Sequence, residues 1–166
     1  MKEINIKDLD FNPFDLLTNW AVFASKKGED CDAMTISWGA FGSLWEKYTT
    51  TIYIRPQRYT KKLLDENEYY TISFFDKEYK KDLGLLGAIS KNDDKDKMGK
   101  VSFTKIEDDN ILYFKEAKLV FVCKKLYVNQ INKDGIKDND VIDKMYSNND
   151  FSYEYIGQIE KVLVRD

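Results

Sequence analysis

Residues Lys115 to Gln130 read as one long strand, and no other segment constrains the fold as strongly. Ala117, Leu119, Phe121 and Cys123 alternate with Lys118, Val120, Val122 and Lys124, the two-residue period of a strand. The phase slips at Lys124-Lys125, before Tyr127, which is the mark of a β-bulge. Other segments carry strand signals too: Trp20 to Ser25, Ala33 to Trp38, Thr49 to Ile54, Tyr69 to Phe75 and Tyr153 to Val164. Gly39 and Gly42 are expected to break the second of these. Short helical stretches fall between them, at Phe14 to Leu17, Arg58 to Asn67, Lys77 to about Leu86 and Val141 to Tyr146. Asp76 is the expected cap of the third, and Asn139 or Asp140 of the fourth. Lys91 to Lys100 is polar and reads as a connector. The fold expected is mainly β with short helices, a closed or nearly closed antiparallel barrel. Regular βαβ alternation is too weak for a Rossmann sheet, and no GxGxxG is present.

Nothing divides the chain. Only Pro13 and Pro56 are prolines, no linker composition appears, and 166 residues suit one domain, read as 1–166. The first residues, Met1 to Asn5, hold no apolar run of the secretory kind. The longest apolar run, Leu119 to Cys123, is far short of a membrane span. A soluble cytoplasmic protein is expected.

Several chemistries are excluded by residues the chain lacks. It has no His, so a Ser-His-Asp triad, a Cys-His pair and a His-ligated zinc site are ruled out. Cys31 and Cys123 are its only cysteines, and they form no CxxC pair. They read as buried free thiols, with a disulfide between them as the alternative. A net charge of −3 argues against non-specific duplex binding, which needs a basic face, but leaves room for one basic pocket.

Arginine usage points to such a pocket. Of 26 positive charges only three are Arg, and two stand in Arg55-Pro56-Gln57-Arg58, followed by Tyr59-Thr60. A planar guanidinium fork suits bidentate binding of phosphate or carboxylate. A helix starting near Thr60 adds free N–H groups for an anion. An ordinary solvated turn with a capping Thr is the competing reading. A second constellation is Asp32-Ala33-Met34-Thr35-Ile36-Ser37-Trp38-Gly39, where small hydroxyls alternate along a strand and lead to a Trp and a Gly. Such a face can hydrogen-bond a flat heterocycle, or it can simply be an amphipathic strand. A third runs from Leu83 through Gly84 and Gly87 to Ser90, followed by Asp96-Lys97.

In this order, and with Tyr155-Ile156-Gly157-Gln158-Ile159-Glu160-Lys161-Val162 as a closing strand, these segments resemble the flavin reductase-like, FMN-binding split β-barrel family, in its flavoredoxin-like branch. The resemblance covers roughly Trp20 to the C-terminus. It implies an antiparallel split barrel of Greek-key type that binds FMN. Arg55 or Arg58, Thr60, Ser90 and Lys97 would hold the phosphate. The ring would lie along Met34 to Trp38, bonded by backbone groups and the hydroxyls of Thr35 and Ser37. It also implies NADH or NADPH as electron donor and a flavin or small molecule as acceptor. The flavin would carry the hydride step, so no side chain is named as catalytic and no His is needed. A non-enzymatic FMN carrier or store is the alternative. A homodimer with the flavin near its interface is expected, because 24 aromatics are hard to bury in one small barrel. Phe41 to Tyr48, with Trp45, is the segment expected to reach the partner's flavin.

Overall fold

A computed structural model describes residues 1–165. Its main sheet is antiparallel. In chain order its strands are β1 (Lys2–Ile4), β2 (Ala21–Lys27), β3 (Asp30–Ile36), β4 (Gly39–Leu44), β5 (Lys47–Ile54), β6 (Tyr69–Phe74), β9 (Leu119–Gln130) and β10 (Tyr153–Val164). They are arranged β3-β2-β6-β9-β10-β5-β4, with β1 on the far half of β10. A separate hairpin joins β7 (Lys105–Asp108) to β8 (Ile111–Phe114). Four short α-helices are α1 (Asp15–Asn19), α2 (Tyr59–Glu66), α3 (Lys80–Ala88) and α4 (Asn139–Met145).

The strongest sequence signal is borne out. Gly157 of β10 pairs with Lys125 and Ile156 with Tyr127, so Leu126 is the extra residue of a bulge in β9. The bulge has a use. Lys125 donates from its backbone N–H to the Glu68 carbonyl, and from Nζ to the carbonyls of Leu64 (2.5 Å) and Asp65. It thereby caps the C-terminal end of α2, where a cation is favoured.

The curled sheet has two cores. Inside it Phe23, Met34, Ile36, Ile52, Ile72, Phe121 and Tyr155 pack together. Outside it Val22, Ala24, Ala33, Val120 and Val122 meet Leu83 and Leu86 of α3 and Leu112 and Phe114 of β8. β2 is buried on both faces and hence reads as a continuous apolar run. Most of the aromatic excess is absorbed here. Phe11, Phe41, Phe74 and Phe121 form one ring cluster, and Phe75, Tyr79, Phe103 and Phe114 another. Both cysteines are buried and free, as expected.

Several sequence expectations need correcting. Gly39 and Gly42 do not break into a loop. They belong to β4, which pairs along its length with β5. Gly39 fits there because a Cβ would lie 2.7 Å from the Thr51 carbonyl. The long strand starts at Leu119, not Lys115; the turn before it returns from the β7–β8 hairpin, which polar residues had hidden. Asp76 makes no cap hydrogen bond, since its carboxylate is held by Arg165. The side chain that caps α4 is Asp138, one residue earlier than expected, accepting from the Asp140 N–H at 2.9 Å. Among the described residues no helix is long and apolar enough to cross a membrane.

Candidate functional site

β3 is an edge strand, paired with β2 on one side only, and α3 packs against its outer face. The Thr35 hydroxyl ties the two by donating to the Leu83 carbonyl at 2.5 Å. Beside residues 34–38 a cavity of about 200 Å³ opens to solvent. Met34, Thr35, Ser37, Trp38, Arg55 and Arg58 line it, so six residues singled out in the sequence converge on one place. β5 brings Tyr53 to the same wall, and Arg55 follows directly after the strand's last residue, Ile54.

The two arginines of the turn are committed differently. Arg55 donates to the Asp150 carboxylate at 2.5 Å and to the Met145 carbonyl, with its guanidinium 4.6 Å from the centre of the Tyr146 ring. Gln57 donates to the other oxygen of Asp150. Arg55 thus pins α4 and the following loop to β5. Arg58 has no carboxylate partner among the described residues. Its Nη1 and Nη2 each donate to the Gly87 carbonyl at 3.1 Å, at the C-terminal end of α3. Burial pulls its pKa down, and the nearby charge of Asp32 opposes that.

Thr60, Lys97 and Ser90 are not among the residues lining the cavity. Thr60 and Lys97 lie behind its wall, both turned to Asp32. The Thr60 hydroxyl donates to Asp32 Oδ2 at 2.6 Å, and Lys97 Nζ lies 3.3 Å from Oδ1 in an ion pair without hydrogen-bond geometry. All three residues are 1% exposed. Burial lowers the Lys97 pKa and Asp32 raises it. Ser90 is half-buried, and its hydroxyl accepts from the Asn92 N–H. Asn92 in turn donates to the Gln57 carbonyl, which ties the Ser90 loop to the arginine turn.

The electrostatic balance of this corner follows from those pairings. Lys91 is matched by Asp30 and Arg55 by Asp150. Lys97 pairs with Asp32, whose charge reaches Arg58 without forming an ion pair with it. One positive charge is left over, half-buried beside a cavity. Residues that sequence reading did not single out for this site are Asp150 and Tyr146, which hold Arg55, and Tyr53 and Ser152, which complete the lining with Gly87 of the third constellation. Asp150 stands in an Asn/Asp-rich loop whose composition gave no hint of a partner.

Strand order, edge strand and arginine turn together define an antiparallel split β-barrel, the fold of the flavin reductase-like FMN-binding proteins. Solved structures agree. A flavoredoxin from Methanosarcina acetivorans superimposes with a TM-score of 0.71 at 13% identity, covering 100% of this chain and 77% of that one. An FMN-binding protein from Thermus thermophilus, solved with bound p-hydroxybenzaldehyde, gives 0.69 at 15% identity, covering 100% and 83%. An NADH:FAD oxidoreductase from Streptomyces globisporus gives 0.64 at 12% identity, covering 89% and 75%. No protein-family profile matches the chain, and no curated protein matches it by sequence.

Proposed function

We propose that the protein binds FMN in the cavity beside β3 and works as an NAD(P)H-dependent oxidoreductase acting on a flavin or a small acceptor. The observation that carries this reading is the leftover charge of Arg58 at one end of a cavity whose long wall is the free edge of a strand. A cation without a carboxylate, fixed by two main-chain carbonyls, is preorganised for a terminal phosphate. The β3 edge offers main-chain groups and the Ser37 hydroxyl to the polar rim of a flat ring, and Trp38 offers a stacking face. Flavin-binding proteins of the same fold support the choice of ligand.

In this reading Arg55 and Arg58 face the phosphate, while Asp32, Thr60 and Lys97 form the buried support behind them. Ser90 approaches from the loop tied to Gln57. Met34, Thr35, Ser37 and Trp38 border the ring. A bound flavin supplies the hydride acceptor and donor, exchanging with nicotinamide on one side and acceptor on the other. The chain's own residues bind, orient and exclude water.

The cavity is open to solvent on one side, which leaves room for a further wall. We propose that a second copy supplies it. β4 is an exposed edge strand without a charge or proline to guard it. At its tip Trp45 and Glu46 both have positive φ (52° and 58°), at turn positions that favour Asn-Gly. Trp45 is 57% exposed despite that strain. Light scattering at micromolar concentration should give a dimer mass, and Trp45→Glu should give a monomer. A monomeric wild type with flavin bound would refute the shared site.

Anaerobic stopped-flow mixing of the FMN-loaded protein with NADH and NADPH tests the activity. Rapid loss of flavin absorbance with either donor is expected. Loss with neither would favour the FMN carrier or store.

A further inference from the structure

A second compartment of about 260 Å³ adjoins the first and shares Thr35, Ile36, Ser37 and Gly87 with it. Its other wall is formed by Trp20, Leu83 and Gly84. Beyond Leu83 a further depression is lined by Lys80. Nothing in the flavin reading uses Trp20 or Lys80.

Trp20 packs against the outer core, and both residues carry features that bear on a ligand. Trp20 sits at φ 63°, ψ 167°, a backbone region that only glycine occupies without strain. Such strain persists where surrounding contacts enforce it, and it gathers at ligand sites. Here the enforcing contacts are the Trp20 N–H, which closes α1 on the Leu16 carbonyl, and the ammonium of Lys80, 3.3 Å from the ring centre. Lys80 Nζ also donates to the Thr18 carbonyl at 2.7 Å. It is half-buried, and among the described residues it has no carboxylate partner. The nearest acid in its depression, Asp76, is taken by Arg165 and Lys118. Burial lowers the pKa of Lys80, as expected of a cation that lacks a counter-charge. On the α3 side, a Cβ at Gly84 would meet nothing within 4 Å, so that wall leaves open space.

We propose that this compartment binds a small planar anion, a carboxylate carried on a single ring, with the ring between Trp20 and Ser37 and the charge toward Lys80. The space, about 260 Å³, accommodates a single ring. The aromatic wall favours a flat molecule. The unmatched ammonium, held in place by Thr18 and Trp20, selects for negative charge at the far end. Its position next to a flavin rests on the reading above, whereas the compartment itself does not.

The test uses benzoate and its neutral isostere benzamide. Each is titrated calorimetrically into the flavin-free chain, with tryptophan fluorescence as a second readout, and then into the FMN-loaded chain. Benzoate should bind at least about tenfold more tightly than benzamide. Lys80→Met should erase that preference and Lys80→Arg should keep it. Gly84→Leu, a change that favours the helix, should weaken both probes by filling the space. Failure to bind FMN and failure to bind benzoate are separate results, because the flavin-free chain reads this compartment alone. Equal binding of the two probes, absence of benzoate binding, or a preference that survives Lys80→Met would overturn the proposal. So would competition between benzoate and FMN, which would make the compartment part of the flavin site.

Discussion

Asp32→Asn should be among the most damaging single substitutions in the chain, and Lys97→Met should partly rescue it. Asp32 and Lys97 are each 1% exposed, and the carboxylate is the nearest counter-charge of the ammonium. Removing one partner of a buried pair leaves an uncompensated charge, at a cost of about 3–5 kcal/mol. Replacing both by groups of similar shape is often close to neutral. The double variant should therefore lose about 1–2 kcal/mol, well short of the sum of the single losses, with the remainder assigned to the weakened Thr60 bond. Urea unfolding of the four proteins measures this as shifts in midpoint at constant slope.

The deficit should also depend on pH. In Asp32→Asn, burial lowers the Lys97 pKa from its ordinary 10.5 without the opposing pull of the carboxylate. Between the folded value and 10.5 the unfolded chain holds more protons, so stability rises with pH across that window. The loss measured at about pH 7 should shrink toward about pH 10. Additive losses, or a deficit that does not change over that range, would refute the claim that a buried ion pair supports the arginine wall.

Arg58→Ala should weaken FMN binding by about ten- to a hundredfold, the worth of one charge-assisted bond of roughly 1.5–3 kcal/mol; Lys124→Ala, on an exposed pair with Glu68, should leave it unchanged in the same fluorescence titration. Gly157→Ala should cost about 1–3 kcal/mol of stability, read as a lower urea midpoint, because its Cβ would clash with the hydroxyl of the fully buried Tyr70. A normal midpoint would mean that the barrel wall yields there. Cys123, whose thiol is pushed up to about 12 by burial, should not react with Ellman's reagent in the native protein at neutral pH and should react on unfolding. Asp150 is held below the ordinary carboxylate range by Gln57 and Arg55, so its stabilising contribution should be complete above about pH 4 and lost below it. A melting profile in which Arg55→Lys and the wild type differ equally at pH 7 and in strong acid would contradict that pairing.

The parts of the fold legible in sequence were those where one physical signal acted alone. β9 announced itself by alternation and by a phase slip, because its two faces meet different surroundings. The arginine turn stood out because guanidinium was scarce elsewhere. β4 was missed because Gly39 and Gly42 lack the side chains that mark a strand, although close backbone approach is what Gly39 provides. The β7–β8 hairpin was missed because Lys105 to Asp108 is mostly polar, and only its partner β8 faces the core. The site was half legible. Residues on one strand could be grouped by spacing, but the grasp of Asp150 on Arg55 and of Asp32 on Thr60 and Lys97 joins segments 95, 28 and 65 positions apart. No local pattern encodes such pairings. The fork of Arg58 against α3 was equally hidden, since it uses main-chain carbonyls that every residue has.

Parallel calorimetric titrations of the flavin-free protein with FMN, FAD and riboflavin test the central claim most directly. Riboflavin lacks the phosphate, and FAD buries it in a pyrophosphate. One FMN per chain is expected, bound at least about tenfold more tightly than riboflavin and more tightly than FAD. Equal affinity for FMN and riboflavin would take the phosphate away from Arg58, and absence of FMN binding would contradict the account as a whole.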